Sequence, residues 1–390
     1  MRKTLSVAVV IFFLVSMITI LPAVIAQPYQ KIAINPDGSV EGTDKIQQID
    51  GIYTFTNNVS GSVSVEMDGI VIDGSGFWLE GTGVENETGI NLTNRTNITV
   101  RNLNITNFGV GIALFNTNGT TIINNNLTNN TAYPASIYLS NSSNNNVSKN
   151  LFEVNLQNAI WLRDFSNNNI ISENTVNQNG NSGITVSGVN NTIYKNILDG
   201  SEILLSGYGK TNVVMENKIS SSGVGGIWAL NENSENTISQ NTILDCFVGI
   251  QLDTSYNIVY ENNVTGNIFG INFVNGEDNL FYQNNFVDNE DQVAFNYGGS
   301  HPARANIWSK QNQGNYWSDY NGTDNNGDGI GDTPYIIDEN NQDNHPLMNP
   351  VDITAIPEFT STITITILLA SILSLAIVYR EKLGREIENS

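Results

Sequence analysis

The sequence predicts an all-β fold, a right-handed parallel β-helix, and two observations carry the prediction. A six-residue phrase, apolar-x-x-Asn-x-apolar, occurs seven times between residues 147 and 286 and returns after 21 to 24 residues. The copies are centred on Asn150, Asn174, Asn196, Asn217, Asn241, Asn262 and Asn284. Six of them are followed by an Ile-x-apolar triplet, at 160–162, 184–186, 203–205, 227–229, 250–252 and 271–273, and earlier triplets stand at 112–114 and 137–139. Self-similarity at a fixed period marks a solenoid. Two or three short strands per period, stacked about 4.8 Å apart, make a β-helix around a column of Ile, Leu, Val and Phe.

The two apolar positions of the phrase lie an odd number of residues apart, so an uninterrupted strand would point them to opposite faces. A bend between them is required. Asparagine tolerates the left-handed backbone conformation better than other non-glycine residues, so the expectation is that each ladder Asn is itself the bent residue. Composition agrees with many turns, since the chain holds 62 Asn and 34 Gly while charged residues are 14% against a typical ~25%. Disordered polar sequence has no reason to keep Ile or Val in phase for so long.

Taken in order, residues 1–26 read as a signal peptide: Arg2 and Lys3, an apolar run, then Val24-Ile-Ala26 before Gln27. Residues 27–50 read as a cap or linker, 51–300 as the repeats, and 301–355 as a C-terminal cap. Residues 359–379 are long enough to cross a bilayer, and Arg380, Lys382 and Arg385 follow, so 356–390 is expected to be a transmembrane anchor with its tail inside and the body outside the cell. The net charge of −22 speaks against nucleic acid as a partner. Fourteen Asn-x-Ser/Thr sequons, including Asn86, Asn94, Asn190 and Asn263, make an exported glycoprotein an expectation. The lone Cys246 lies beside the apolar column and reads as a small buried residue.

The best chemical motif is Asp324-x-Asn326-x-Asp328-Gly-x-Gly-Asp332, with oxygen side chains at alternate positions and a carbonyl at Ile330. It matches the opening of an EF-hand loop but carries Tyr335 where a bidentate Glu is needed, so a structural Ca²⁺ loop is expected rather than a regulatory one. The middle residue of each triplet should face solvent, and Tyr138, Trp161 and Trp228 stand there, which suggests a surface on which sugar rings stack. A second stripe carries Tyr194, Tyr260 and Tyr282. Glycoside hydrolysis needs two converging carboxylates, and the polygalacturonase signatures Asn-Thr-Asp, Asp-Asp, His-Gly and Arg-Ile-Lys are all absent, while Lys149 and Lys195, considered for a lyase base, are better explained as surface pairs with neighbours such as Glu173. No catalytic residue is assigned.

The repeat resembles those of the NosD family and of the wider carbohydrate-binding and sugar-hydrolase β-helices. Gly69-Ile-Val-Ile-Asp-Gly74 resembles their opening turn, and Gly314-Asn-Tyr-Trp317-Ser-Asp-Tyr320 with His345-Pro-Leu347 resembles their ending. Pro357-Glu-Phe359 before an apolar span resembles the sorting signals of archaeal surface proteins, which implies a cleaved and lipid-anchored tail; the acidic residues after Arg385 depart from that pattern, and a retained span is the reading adopted. NosD resemblance implies a link to copper, for which this chain offers two His, one Cys and five Met, two of the Met within the signal segment. The sequence therefore points to a cell-surface β-helix that binds glycan or serves an adhesive role without catalysis. An extracellular polysaccharide lyase or hydrolase is the alternative, with a copper-related envelope protein behind it.

Overall fold

In the computed structural model, which describes residues 29–131, 133–295 and 304–353, each rung of the coil from 71 to 295 carries three short strands. One face is a 12-stranded sheet built from the strands that precede each Asn, such as Asn146–Ser148, Ile170–Ser172 and Thr192–Tyr194. The strands after the Asn, such as Leu151–Glu153 and Thr175–Asn177, form a second face. The triplets form the third, with Asn158–Arg163 paired in parallel to Ile184–Val186. The second and third faces are joined at Val59–Val65, which pairs with both Trp78–Glu80 and Thr88–Asn91. The signal segment, the span 359–379 and His301 lie outside the described residues.

The apolar member of every strand turns inward. Val147, Phe152 and Ile160 of one rung sit above Ile171, Val176 and Ile184 of the next, and all six are excluded from solvent. Each such side chain contributes roughly 1.5–3 kcal/mol on burial. The coil also reaches beyond the expected repeat region at both ends: Gln30–Ile34 pairs in parallel with Val59–Val65, and Asn285–Val287 pairs in parallel with Tyr316–Trp317.

The corner differs from the expectation in one respect. The left-handed residue is the one before the Asn: Lys149, Glu173, Lys195, Glu216, Gln240, Glu261 and Gln283 have φ between 54° and 56°. These side chains point to solvent and pair along the edge, as Lys149 with Glu173 at 3.7 Å and Lys195 with Glu216 at 3.4 Å. The left-handed turn costs about 1–2 kcal/mol per residue, and it swings the following Asn inward. There Asn217 Oδ1 accepts from both the backbone N–H and the side-chain amide of Asn196, while its own amide donates to Ile193 O and Asn241 Oδ1. Asn is selected because a strand break inside the coil leaves backbone donors and acceptors with no water to satisfy them, and an amide supplies both kinds of group.

This first ladder runs without interruption from Asn125 to Asn315. A parallel one, not anticipated, runs from Asn145 through Asn169, Asn191, Asn212, Asn236, Asn257, Asn279 and Asn306 to Asn341. The C-terminal cap closes both. Trp317 stacks on Phe286 and donates its indole N–H to Asp343, which also ends the first ladder, while Trp308 stacks on Phe281 and donates to Asn341. Gly314 is required here, since a Cβ would stand 2.0 Å from Asp343 Oδ1.

Candidate functional site

The outward positions of the triplet face form one column, Tyr138–Trp161–Thr185–Leu204–Trp228, each residue in register with the next. Its two ends differ from the middle. Tyr138 is only 7% exposed, wedged edge-on between Phe115 at 5.4 Å and Trp161 at 6.1 Å, so it supports the cluster and presents no open ring face. Tyr133, 62% exposed and carried by the loop before this strand, meets Trp161 edge-to-face at 5.2 Å. The Arg163 guanidinium lies 5.7 Å from the Trp161 ring centre; this is a cation–π contact. Trp228 lies on the backbone of Gly225, where a Cβ would come within 1.9 Å of its Nε1.

Three polar atoms of this column reach neither solvent nor a protein partner: Nε1 of Trp161, Oγ1 of Thr185 and Nε1 of Trp228. A shielded donor left without an acceptor costs about 1–3 kcal/mol, so three in one column mark the face as unusual. Beside them Ser182 donates to the buried Glu202 at 2.7 Å. Glu202 falls in the rung with the shortest connection between the second and third faces. In the other stripe Tyr260 and Tyr282 stack at 5.1 Å and Lys310 caps Tyr282 at 4.9 Å, so these rings are largely used by one another.

The Asp-rich loop is wrapped around its first residue. Asp324 accepts from the backbone N–H groups of Gly327, Asp328 and Gly329, Asp328 Oδ1 accepts from Ile330 N–H, and Asp332 accepts from Asn325. Asn326 and Asp328 bond to each other. Among the described residues no group of three or more His, Cys, Asp and Glu converges as a metal cluster, so a cation here would draw on Asn and carbonyl oxygen as well.

Copper fits poorly. Cys246 is buried, and desolvation pushes its thiol up to about 11. His345 Nδ1 is 3.1 Å from Ser309 Oγ in the cap, Met67 accepts from Tyr53 near the other end, and Met215 sits on the first face. Among the described residues the soft donors are spread along the coil, with only His345 and Met348 together in the cap, fewer than a copper site needs.

Residues 48–198 match the family model for the right-handed beta helix region, and residues 201–322 match that of the periplasmic copper-binding protein NosD. The chain is a NosD-like parallel β-helix protein. It is 38% identical over 86 residues to the probable ABC transporter binding protein NosD of Stutzerimonas stutzeri, covering 22% of this chain and 19% of that one. The corresponding protein of Pseudomonas aeruginosa is 38% identical over 91 residues, covering 22% and 20%. The chain thus spans about a fifth of the length of these curated relatives. Among solved structures, the Agl-KA catalytic domain superposes with a TM-score of 0.50 at 18% identity, over 63% of this chain and 56% of the other, a likeness of fold. Among the described residues no helix is long and apolar enough to cross a membrane.

Proposed function

We propose that this NosD-like β-helix is an exported, membrane-anchored surface protein that binds glycan without catalysis, through the outward column around Trp161 and Trp228. The observation that carries the reading is the pair of partly exposed indole rings, Trp161 and Trp228, held in register on one outward column. An oligosaccharide lying along the column would cover the apolar surface of the two indole rings. Trp161 and Trp228 are three strand spacings apart, roughly 14 Å, a span suited to an oligosaccharide rather than a monosaccharide. The test is a panel of neutral and acidic polysaccharides against the full-length protein, scored for retention and for new reducing or unsaturated ends. Retention that Trp161→Ala with Trp228→Ala abolishes, without new ends, is expected; undiminished retention in that double variant removes the column from the function, and new ends turn the protein into a lyase or hydrolase.

A Ca²⁺ ion at Asp324, Asn326, Asp328, Ile330 and Asp332 is the second part of the proposal, favoured by the wrapping of the loop around Asp324. Its role is structural, holding the cap. Calorimetric titration of Ca²⁺ should show binding that Asp324→Ala removes, and a protein whose melting is indifferent to both Ca²⁺ and chelator would refute it.

A further inference from the structure

Three strongly exposed aromatic rings lie on the edge that follows the triplet face. Phe165 is 76% exposed, Tyr208 81% and Tyr256 61%. Beside Tyr208 the edge is hollowed into a groove of about 480 Å³ lined by Gly207, Tyr208, Asn231, Glu232, Asp253 and Asn275. Those residues come from four successive rungs, held in register by Leu230 N–H to Leu205 O, Asp253 N–H to Ala229 O and Val274 N–H to Leu252 O. The groove is therefore about 14 Å long at the strand spacing of a β-sheet, and its volume lies in the range of small-ligand sites.

We infer that this groove is a second carbohydrate subsite, selective for neutral sugars over uronates. The inference rests on the glycan-binding reading, but on different residues. An exposed tyrosine offers a ring face for stacking a pyranose. Two carboxylates and two amides beside it offer acceptors and donors for hydroxyl groups, and Asn275 already orients Asp253 through a 2.8 Å bond. No Lys or Arg lines the groove. Lys210, from the same loop as Tyr208, is turned to Glu235 at 3.5 Å. Glu232 and Asp253 thus repel a uronate carboxylate while accepting from neutral hydroxyls. The sequence has no Asn-x-Ser/Thr acceptor between Asn190 and Asn263 or between Asn263 and Asn321, so the chain's own glycans would attach elsewhere than on Asn231 or Asn275.

Isothermal titration of the full-length protein with maltohexaose and with hexagalacturonate tests the inference. Tyr208→Ala is expected to weaken maltohexaose binding at least 10-fold, with hexagalacturonate unbound by this site until Glu232→Gln with Asp253→Asn gains it by at least 10-fold. The Trp161→Ala, Trp228→Ala protein should keep the Tyr208-dependent component. If maltohexaose binds and Tyr208→Ala leaves its affinity unchanged, the groove is no subsite and the column keeps its role. If hexagalacturonate already binds the parent protein in a Tyr208-dependent way, the selectivity is wrong. If neither sugar binds the parent or any variant, the subsite falls, and retention of the polysaccharide panel decides separately whether the column survives.

Discussion

The first corner of the coil, between its first and second faces, and the second corner, between its second and third faces, solve the same problem with different constancy. At the first corner nine asparagines stack from Asn125 to Asn315. At the second the column begins with Asn130, Asn155 and Asn179, passes through Ser201, Ser222 and Cys246, and resumes at Asn267 and Asn289. The two corners also differ in the length of chain that crosses them. From Val147 to Phe152 the path across the first corner is five residues, as it is in each later copy, so every rung presents the same orphaned backbone groups in the same place. Across the second corner the path runs from five residues, Leu198 to Ile203, to eleven, Leu79 to Ile90. Variable loops find local partners instead, as where Ser222 Oγ accepts from Val224 and Gly225 N–H. Unequal loops do not by themselves end a ladder, since Asn145 to Asn341 run unbroken through them; the column lapses where Ser201, Ser222 and Cys246 stand in place of the relaying amide.

The sharpest way to break this contrast is Asn217→Asp. Its carboxylate would keep the acceptor for Asn196 but face Ile193 O and Asn241 Oδ1 with no proton to give, so chemical denaturation should show a loss of about 3–5 kcal/mol. Asn217→Ala, which leaves the same groups merely unpaired, should cost about 2–3 kcal/mol; a smaller loss than at Ser222→Ala would overturn the ladder as a source of stability.

At the ladder's end the preference reverses. Asp343 has donors on both sides, Asn315 and Trp317 on one oxygen and His345 N–H on the other, and no further rung to receive an amide. Asp343→Asn would turn an NH₂ toward His345 N–H and should cost about 1 kcal/mol at neutral pH. Burial holds the Asp343 carboxyl above its ordinary value of 3.8. The folded cap therefore binds this proton more tightly than the unfolded chain, so its contribution to stability is full below 3.8 and is lost as pH rises through the raised value. Hydrogen exchange of residues 304–348 should follow that slope in the parent and lose it in Asp343→Asn; an identical slope in both would assign it to another group.

The smallest effect is expected at Cys246→Asn. Cys246 N–H already donates to Asn267 Oδ1, and an amide there would restore the missing rung. A gain of up to about 1 kcal/mol in thermal unfolding is expected, whereas a marked loss would mean that the interrupted corner lacks room for the ladder. The buried thiol, raised to about 11, should react with iodoacetamide in the denatured chain but not in the native one.

What the sequence determined by itself is the repeat. The period, the inward Ile, Val and Phe, the Asn at every first corner and the burial of Cys246 could be read because in a solenoid each rung contacts its neighbours in one register, so local pattern and tertiary contact coincide. The second ladder was readable in principle from Asn145, Asn169 and Asn191, yet it stands in loops of unequal length where no fixed phrase announces it. Only the tertiary structure decided which residue of the corner is left-handed, because inward and outward Asn have the same spacing. It also decided that Tyr138 is enclosed while Tyr208 is open. Exposure on a β-helix depends on the lengths of loops contributed by neighbouring rungs, and no single rung of sequence contains that information.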